Sequence, residues 1–414
     1  MFLVFFKDHN KDNLNYLYIN LNNKTLLIDY TFYRNIPMKF KINRDHFGSG
    51  LQLISNVVGM RKTMPILQNV LIEANDGKIS LTTTNLDLGM KCSVKADVEE
   101  TGSVTLPVRD LSRIVKELAD MEVSVTASGT TKATISTRGS VFNIIGMDSK
   151  EFPPLPTLTE SKVFSISRQE LKEMLKSVSY AQSVNEERYM LKGVFFQINS
   201  DELSLVATDG RRLAVSTKKM KISQQGEFIL PSMTVSEIEK IPDLSEEVEL
   251  SYTDRQVAIK LSLPNESDGN IGFVESIYLV SKVVEGKYPN FKQVIPKDDF
   301  NQALVERELM QECVHRAALV SDEKVTLRLK NDEMEIFGQS TLGDASESMK
   351  ISYTGEDAVV SFNPKFLLDP LKSILSDKIN FEFRDDMSPG VFKVYGEDVP
   401  GVDILCVVMP IRTD

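Results

Sequence analysis

The stretch VATDGRRLAV, Val206 to Val215, sets one carboxylate and two guanidiniums, Asp209 with Arg211 and Arg212, between two apolar runs. A carboxylate held by arginines could act in hydrolysis, but it would need a base or a metal as partner. The three histidines (His9, His46, His315) and three cysteines (Cys92, Cys313, Cys406) are scattered and show no CxxC spacing, so no metal cluster is visible. Phosphate loops of the GxxxxGK type, GxGxxG fingerprints and GxSxG elbows are missing as well. Asp209-Gly210 is good turn chemistry, because Asp tolerates unusual backbone angles and Gly accepts positive φ. With Val206, Leu213 and Val215 at its flanks, the segment reads as a half-buried hairpin whose corner presents something other than catalysis. Asp209 is expected to form the turn, and neither an enzyme nor a cofactor is implied.

The elements that hold this corner belong to a long chain. At 414 residues it exceeds one ordinary core, and two to four domains are expected. A hydrophobic share of 42% and a charged share of 26% describe a soluble globular protein. No apolar run approaches the ~20 residues of a membrane span. The opening MFLVFF is followed at once by KDHNKD, which does not suit a secretion signal. The dispersed cysteines fit reduced, buried thiols of a cytoplasmic protein. A net charge of −11 argues against a protein coated with basic surface, without fixing how charge is distributed locally.

An internal repeat organises the chain. KFKINRDHFGSGLQLISNVV from Lys39, VFSISRQELKEMLKSVSYAQ from Val163 and ALVERELMQECVHRAALV from Ala303 each join a short apolar alternation, an arginine and a helix of 3.6-residue period. The arginines are Arg44, Arg168 and Arg307. A second element recurs as VTLPVRDLSRIVKELAD, FILPSMTVSEIEKIPD and VSFNPKFLLDPLKSIL, where Pro107, Pro231 and Pro364 close a strand and open a helix. Alternating segments with Asp-Gly or Asp-Glu turns lie between the two helices. The fold class is therefore α+β, with three domains at 38–160, 161–297 and 298–414, each of two helices plus antiparallel sheets. EFPPLPTL and GKYPNFKQVIPKDD mark the junctions. Residues 1–37 form an extension outside the repeats, with a hairpin around Asn22-Asn23, and read as dispensable, with an upstream start codon as one origin.

The helices place basic residues on defined faces. Arg168, Lys172 and Lys176 fall at i, i+4, i+8, next to the apolar face of Leu171, Met174, Leu175 and Val178. Arg109, Arg113 and Lys116 repeat the arrangement, and the third repeat offers Lys365, Lys372 and Arg316. SEIEKI in the second repeat is acidic and breaks the pattern. A solvated helix face is the plain reading of one stripe. Several equivalent stripes in an acidic protein point to a polyanion held by its phosphates without sequence reading.

Three α+β repeats, ATDGRRLAV, MPIL at Met64 to Leu67 and a C-terminal VVMPIR resemble the bacterial DNA polymerase III β subunits, the sliding clamps, from Met38 to Thr413. The resemblance implies a closed ring formed by a head-to-tail homodimer that encircles double-stranded DNA and slides on it, with no bond made or broken. It further implies a pocket for short linear peptides of the replicative polymerase, clamp loader and repair proteins. Carried over, that pocket comprises Leu191, Thr208, Gly210, Arg211, Arg212, Leu213, Pro289, Val294, Asn363, Phe366, Val407, Met409, Pro410, Ile411 and Arg412. Arg61, Arg109, Lys116 and Asn185 fall on the family's DNA contacts and join the stripe residues Arg168, Lys172 and Lys176. Ile114, Phe142 and Ile144 would face Leu319 and Val320 across the ring interface. The chain departs from the family at Arg211, where His is commonest, at Gln293, often Arg, and at Met190, often Tyr. Ser232 and Met233 stand where some relatives carry basic residues. The other readings of the chain are a hydrolytic site at Asp209 and a peptide-binding repeat scaffold without DNA binding.

Overall fold

Each repeat opens with a strand that runs straight into a helix whose first residue is the recurring arginine. The strands are Met38–Asn43, Lys162–Ser167 and Asn301–Glu306. They lead into α1 (Arg44–Ser55), α3 (Arg168–Ser179) and α5 (Arg307–Ala318), and the partner helices are α2 (Val108–Glu117), α4 (Ser232–Lys240) and α6 (Pro364–Ser373). The computed structural model describes residues 16–21, 24–29, 38–59, 64–241, 246–262, 274–296, 301–396 and 401–412.

The arginines explain why the pair of helices recurs as a unit. A helix ends with carbonyls that lack intrahelical partners and with a partial negative charge. The Arg44 guanidinium donates to the Leu118 carbonyl at the end of α2, at 2.7 Å. Arg168 donates likewise to Ile241 at the end of α4, and Arg307 to Leu371 in α6 at 3.0 Å and to Ser376 just beyond it at 2.9 Å. Their backbone N–H groups also reach across, to the carbonyls of Met121, Glu246 and Asp377. One side chain per repeat thus ties the start of the first helix to the end of the second.

The chain forms two compact units. The first comprises residues 1–83, 91–154 and 273–275. Its five-stranded sheet runs Val141–Ile145, Lys132–Ser136, Glu122–Ala127, Met38–Asn43, Asp97–Glu100, and Val141–Ile145 is an edge. Strands Asn69–Asn75 and Lys78–Thr84 meet at Asp76-Gly77, both at positive φ, as a two-residue hairpin turn requires. In α1, Asn43 caps the backbone N–H groups of Asp45 and His46, and Phe47, Leu51 and Ile54 are buried. Each such side chain contributes roughly 1.5–3 kcal/mol when fully removed from water. Strands Tyr16–Leu21 and Lys24–Asp29 pair antiparallel, as the hairpin reading expects, while Asn22 and Asn23 lie outside the described residues.

The second unit comprises residues 84–90, 155–272 and 276–414. A nine-stranded sheet begins Gly226–Pro231, Gly193–Ile198, Glu202–Thr208, Arg212–Lys219 and continues Val402–Val408, Gly390–Val394, Lys378–Phe383, Asn301–Glu306, Ser352–Thr354. Strand Arg212–Lys219 of the second repeat pairs antiparallel with Val402–Val408 of the third, so the sheet is continuous from one repeat to the next. A four-stranded sheet, Gly343–Lys350, Glu333–Ser340, Val325–Lys330, Ala358–Phe362, has Gly343–Lys350 at its edge. Beneath α3, Leu171, Met174, Leu175 and Val178 are buried, matching the period of the sequence. In the third repeat Phe381 stacks on Phe392 with ring centroids 4.9 Å apart.

Candidate functional site

The corner quoted from the sequence is a tightly bonded turn. Asp209 Oδ1 accepts from the backbone N–H groups of Arg211 and Arg212, at 2.9 and 3.1 Å. Thr208 Oγ1 accepts from Gly210 N and donates to the Arg212 carbonyl. Gly210 sits at φ +85, where a side chain is strained, and a Cβ there would also collide with the Arg188 guanidinium. Arg188 in turn donates to the Asp209 carbonyl at 3.0 Å.

Asp209 does more than form the turn. Its Oδ2 accepts from Arg212 Nε at 3.1 Å, and Arg212 Nη1 bonds Asp369 on α6. Arg212 Nη2 donates to the Tyr180 carbonyl at 2.7 Å, and the guanidinium lies between the rings of Phe366 and Tyr180, 4.7 and 5.3 Å from their centroids. The Arg212 side chain is only 8% exposed, so its charge is spent inside the protein. Both oxygens of Asp209 are engaged by the turn and by Arg212, which leaves the carboxylate no role as a free base.

Below the turn lies an apolar floor. Leu191, Leu213 and Val407 pack with Phe195, Val206, Tyr288 and Phe291. Tyr288 stacks on Phe195 with centroids 4.7 Å apart, which presses the segment after strand Val274–Lys282 onto this cluster. Pro289 and Val294 of the same segment are exposed. The C-terminal tail is bonded on the other side, Met409 N to the Arg211 carbonyl at 2.9 Å and Ile411 N to the Ser361 carbonyl at 2.8 Å. Met409 and Arg412 are exposed, Pro410 and Ile411 half-buried. Phe366 is half-buried on α6. Asn363 spends its side chain on capping α6, accepting from Lys365 N and donating to the Glu323 carbonyl. Two cavities flank the cluster. One of about 570 Å³ touches Val215, Phe291, Ile295 and Leu405, and the other, of about 510 Å³, touches Arg188, Asp209, Arg211 and Phe366.

Sequence spacing missed Asp369, Tyr180, Arg188 and the aromatic pair of Phe195 with Tyr288. Tyr180 donates to Cys406 Sγ at 3.0 Å beneath the turn. Burial pushes the Cys406 thiol up to about 12 and the Tyr180 phenol well above its ordinary value, so both stay neutral.

The basic residues divide. Arg109, Lys116 and Lys176 are exposed on their helices and Lys172 is half-buried. Arg113 is exposed but paired with Asp110 at 2.7 Å, and Arg316 is paired with Glu312 and Glu347. Asn185 is exposed and caps the short 3-10 turn Glu186–Leu191 through Glu187 N. Arg168 is a correction. It is 5% exposed and faces the end of α4, so it cannot meet a phosphate as the stripe reading expects. Helical spacing places it on the stripe, but the first residue of a helix can swing its long side chain back onto a neighbouring carbonyl. Arg61 lies outside the described residues.

The residues carried over to a ring interface are open or partly open. Phe142 and Ile144 lie on the edge strand Val141–Ile145, and Ile114 is half-buried on α2. Leu319, 70% exposed, and Val320 follow α5.

Comparison with known proteins agrees along the whole repeated region. Family models described as DNA polymerase III beta subunit match in order: the N-terminal domain at residues 38–156, the central domain at 165–290 and the C-terminal domain at 292–412. The chain is 31% identical over 381 residues to the beta sliding clamp of Chlamydia muridarum, covering 91% of this chain and 99% of that one. It is 30% identical over 405 residues to the beta sliding clamp of Synechocystis, covering 91% and 99%. The crystal structure of the Bacillus subtilis DNA polymerase sliding clamp superposes with a TM-score of 0.83 at 27% identity, covering 91% of this chain and all of that one. A Pseudomonas aeruginosa sliding clamp bound to griselimycin gives 0.81 at 27% identity, with the same coverage. With its three domains matched in order and near-complete coverage of its relatives, the chain belongs to the DNA polymerase III β subunit family, the beta sliding clamps.

Proposed function

We infer that the protein is a DNA sliding clamp that keeps a replicative polymerase on its template. The observation that carries this reading is the ordered match of all three family domains over residues 38–412. Two chains would close head to tail through Ile114, Phe142 and Ile144 of one and Leu319 and Val320 of the other. Arg109, Lys116, Lys172, Lys176, Asn185 and Arg61 would contact phosphates of the enclosed duplex, a sequence-independent contact. The turn Thr208–Leu213, the floor of Leu191 and Val407, the rim of Pro289 and Val294, and Phe366 with the tail Met409–Arg412 would receive short peptides of the polymerase, clamp loader and repair proteins. Apolar burial on that floor supplies ~25 cal/mol per Å² of affinity before binding costs. The protein performs no chemistry of its own in this reading, needs no cofactor and acts in the cytoplasm. Among the described residues no helix is long and apolar enough to cross a membrane.

Topological retention tests it. The protein is loaded onto nicked circular plasmid by a clamp loader, and the plasmid is then linearised at moderate salt. Loaded protein is expected to stay on the circle and to run off the linear form. Retention on the linear plasmid would rule out a sliding ring.

A further inference from the structure

We propose that the cavity of about 570 Å³ at the seam of the second and third repeats is a separate docking groove, which takes an apolar and a basic side chain from a protein whose short peptide already sits in the pocket. The proposal rests on the peptide-pocket reading above and adds to it a second contact surface of different chemistry.

Strand pairing fixes where this groove lies. Arg212–Lys219 and Val402–Val408 run antiparallel, with Leu213 opposite Val407, Val215 opposite Leu405 and Thr217 opposite Asp403. Alternate residues of a strand share a face, so these pairs form successive rows on one side of the sheet. The first row belongs to the pocket floor, and the second and third line the groove. The segment after strand Val274–Lys282 serves both sites. It carries Pro289 and Val294 at the rim assigned to the pocket, while its Phe291 and Ile295 line the groove. Leu213 and Thr217 are four residues apart on one strand, roughly 13 Å. An extended chain covers that span in roughly four residues, and passing over the segment adds a few more.

The groove changes character along its length. Val215, Phe291 and Leu405 belong to or pack against the same apolar cluster as the pocket floor, so an aliphatic side chain placed here extends an existing core. At the other end are the Ser204 and Thr217 hydroxyls and the carboxylates of Glu202 and Asp403. The cations do not cancel both acids. Lys393 donates to the buried Glu382 at 2.6 Å, and Lys292 lies over the Phe291 ring, 5.9 Å from its centroid, at the apolar end. Glu202 stands opposite Lys219 on the neighbouring strand and accepts from Ser204 at 3.0 Å. The exposed Asp403 carboxylate has no hydrogen bond or ion pair among the described residues. A guanidinium or ammonium from a partner would pair with it, whereas a phosphate would meet its uncompensated charge. The continuity with the pocket floor and this leftover carboxylate together favour a protein segment over nucleic acid.

Anisotropy titrations with the full chain test it. A reference fluorescent peptide carries only an aliphatic pair for the pocket. Extended peptides join that pair, through a six-residue Gly/Ser spacer, to Leu-Ser-Arg, whose Leu and Arg are spaced as Leu405 and Asp403 are. One series places the extension before the pair and another after it, and controls replace Leu and Arg by Ser. In one series the extended peptide is expected to bind about three- to tenfold tighter than its control, because a tethered second contact adds affinity without a second loss of translational freedom. A two-residue spacer should lose this gain, since it cannot span the rows. Asp403→Lys should remove the share owed to the arginine, and Thr217→Trp, which fills the groove, should remove all of it, with binding of the reference peptide unchanged in both. No gain in either series, a gain kept with the two-residue spacer, or a gain untouched by both substitutions would overturn the proposal while leaving the peptide pocket standing. Failure of the reference peptide to bind would bring down the pocket reading and this inference with it.

Discussion

Arg44 and Leu118 are joined by a 2.7 Å hydrogen bond from a guanidinium to the carbonyl that ends α2. The equivalent bonds of Arg168 and Arg307 repeat this contact in the other two repeats. Arg168 is the most buried of the three and offers the cleanest test. Arg168→Met keeps an apolar stem and removes the charged donor, leaving the end of α4 without its partner. A hydrogen bond to a charged group contributes about 1.5–3 kcal/mol, and a loss of that order is expected in denaturant unfolding. Arg168→Lys should not restore it, because an ammonium lacks the reach and fork of a guanidinium. Unchanged stability in both variants would mean that the bond is replaceable by water.

In the proposed pocket the tail would form one side, held by bonds that include Met409 N to the Arg211 carbonyl and Ile411 N to the Ser361 carbonyl. Removing residues 409–414 should weaken peptide binding at least tenfold, since burial of one large apolar side chain is worth about 1.5–3 kcal/mol. Strand Val402–Val408 remains, so the mass of the assembly in solution should not change. Peptide affinity equal to that of the full chain would place the pocket elsewhere.

In the ring proposed above, closure would rest on apolar surface at Phe142 and Leu319. Phe142→Asp together with Leu319→Asp would put unpaired carboxylates into the contact, which is strongly unfavourable. Light scattering should report two chains for the wild type and one for the variant. A variant that remains dimeric at sub-micromolar concentration would show that other residues form the interface.

Acid should loosen the third repeat at a defined contact. Glu347, on the edge strand Gly343–Lys350, accepts from Arg316 of α5 at 2.8 Å. That hydrogen bond is the main reason its carboxyl titrates below the ordinary 4.5. A carboxylate with a depressed folded-state pKa stabilises the fold above its unfolded value, and the contribution disappears as pH falls through the folded one. Glu347→Gln should therefore lower the melting temperature slightly at neutral pH. The wild-type advantage should fade as pH drops below 4.5, which melting curves across that range would follow. A difference that persisted in strong acid would point to packing and not to charge.

Local spacing determined much of this protein. The 3.6-residue period of Leu171, Met174, Leu175 and Val178 identifies the buried face of α3, and Pro107 and Pro231 mark where strands turn into helices. Asp209-Gly210 announces its turn, because the demands of a turn are met by residues next to one another. Tertiary structure decided the fate of the charges. Arg168 lies on a basic stripe by count, yet its partner is Ile241, 73 residues away. Arg212 looks like a surface arginine of the turn until Asp369, 157 residues later, and the rings of Tyr180 and Phe366 enclose it. Asn363, carried over as a pocket residue, also caps the start of α6 and donates to the Glu323 carbonyl, 40 residues before it. Periodicity reports which side of an element is apolar, since every residue on that side meets the same core. A long polar side chain answers to whichever donor or acceptor the fold brings within 3 Å or so, and that partner leaves no mark on the neighbouring sequence.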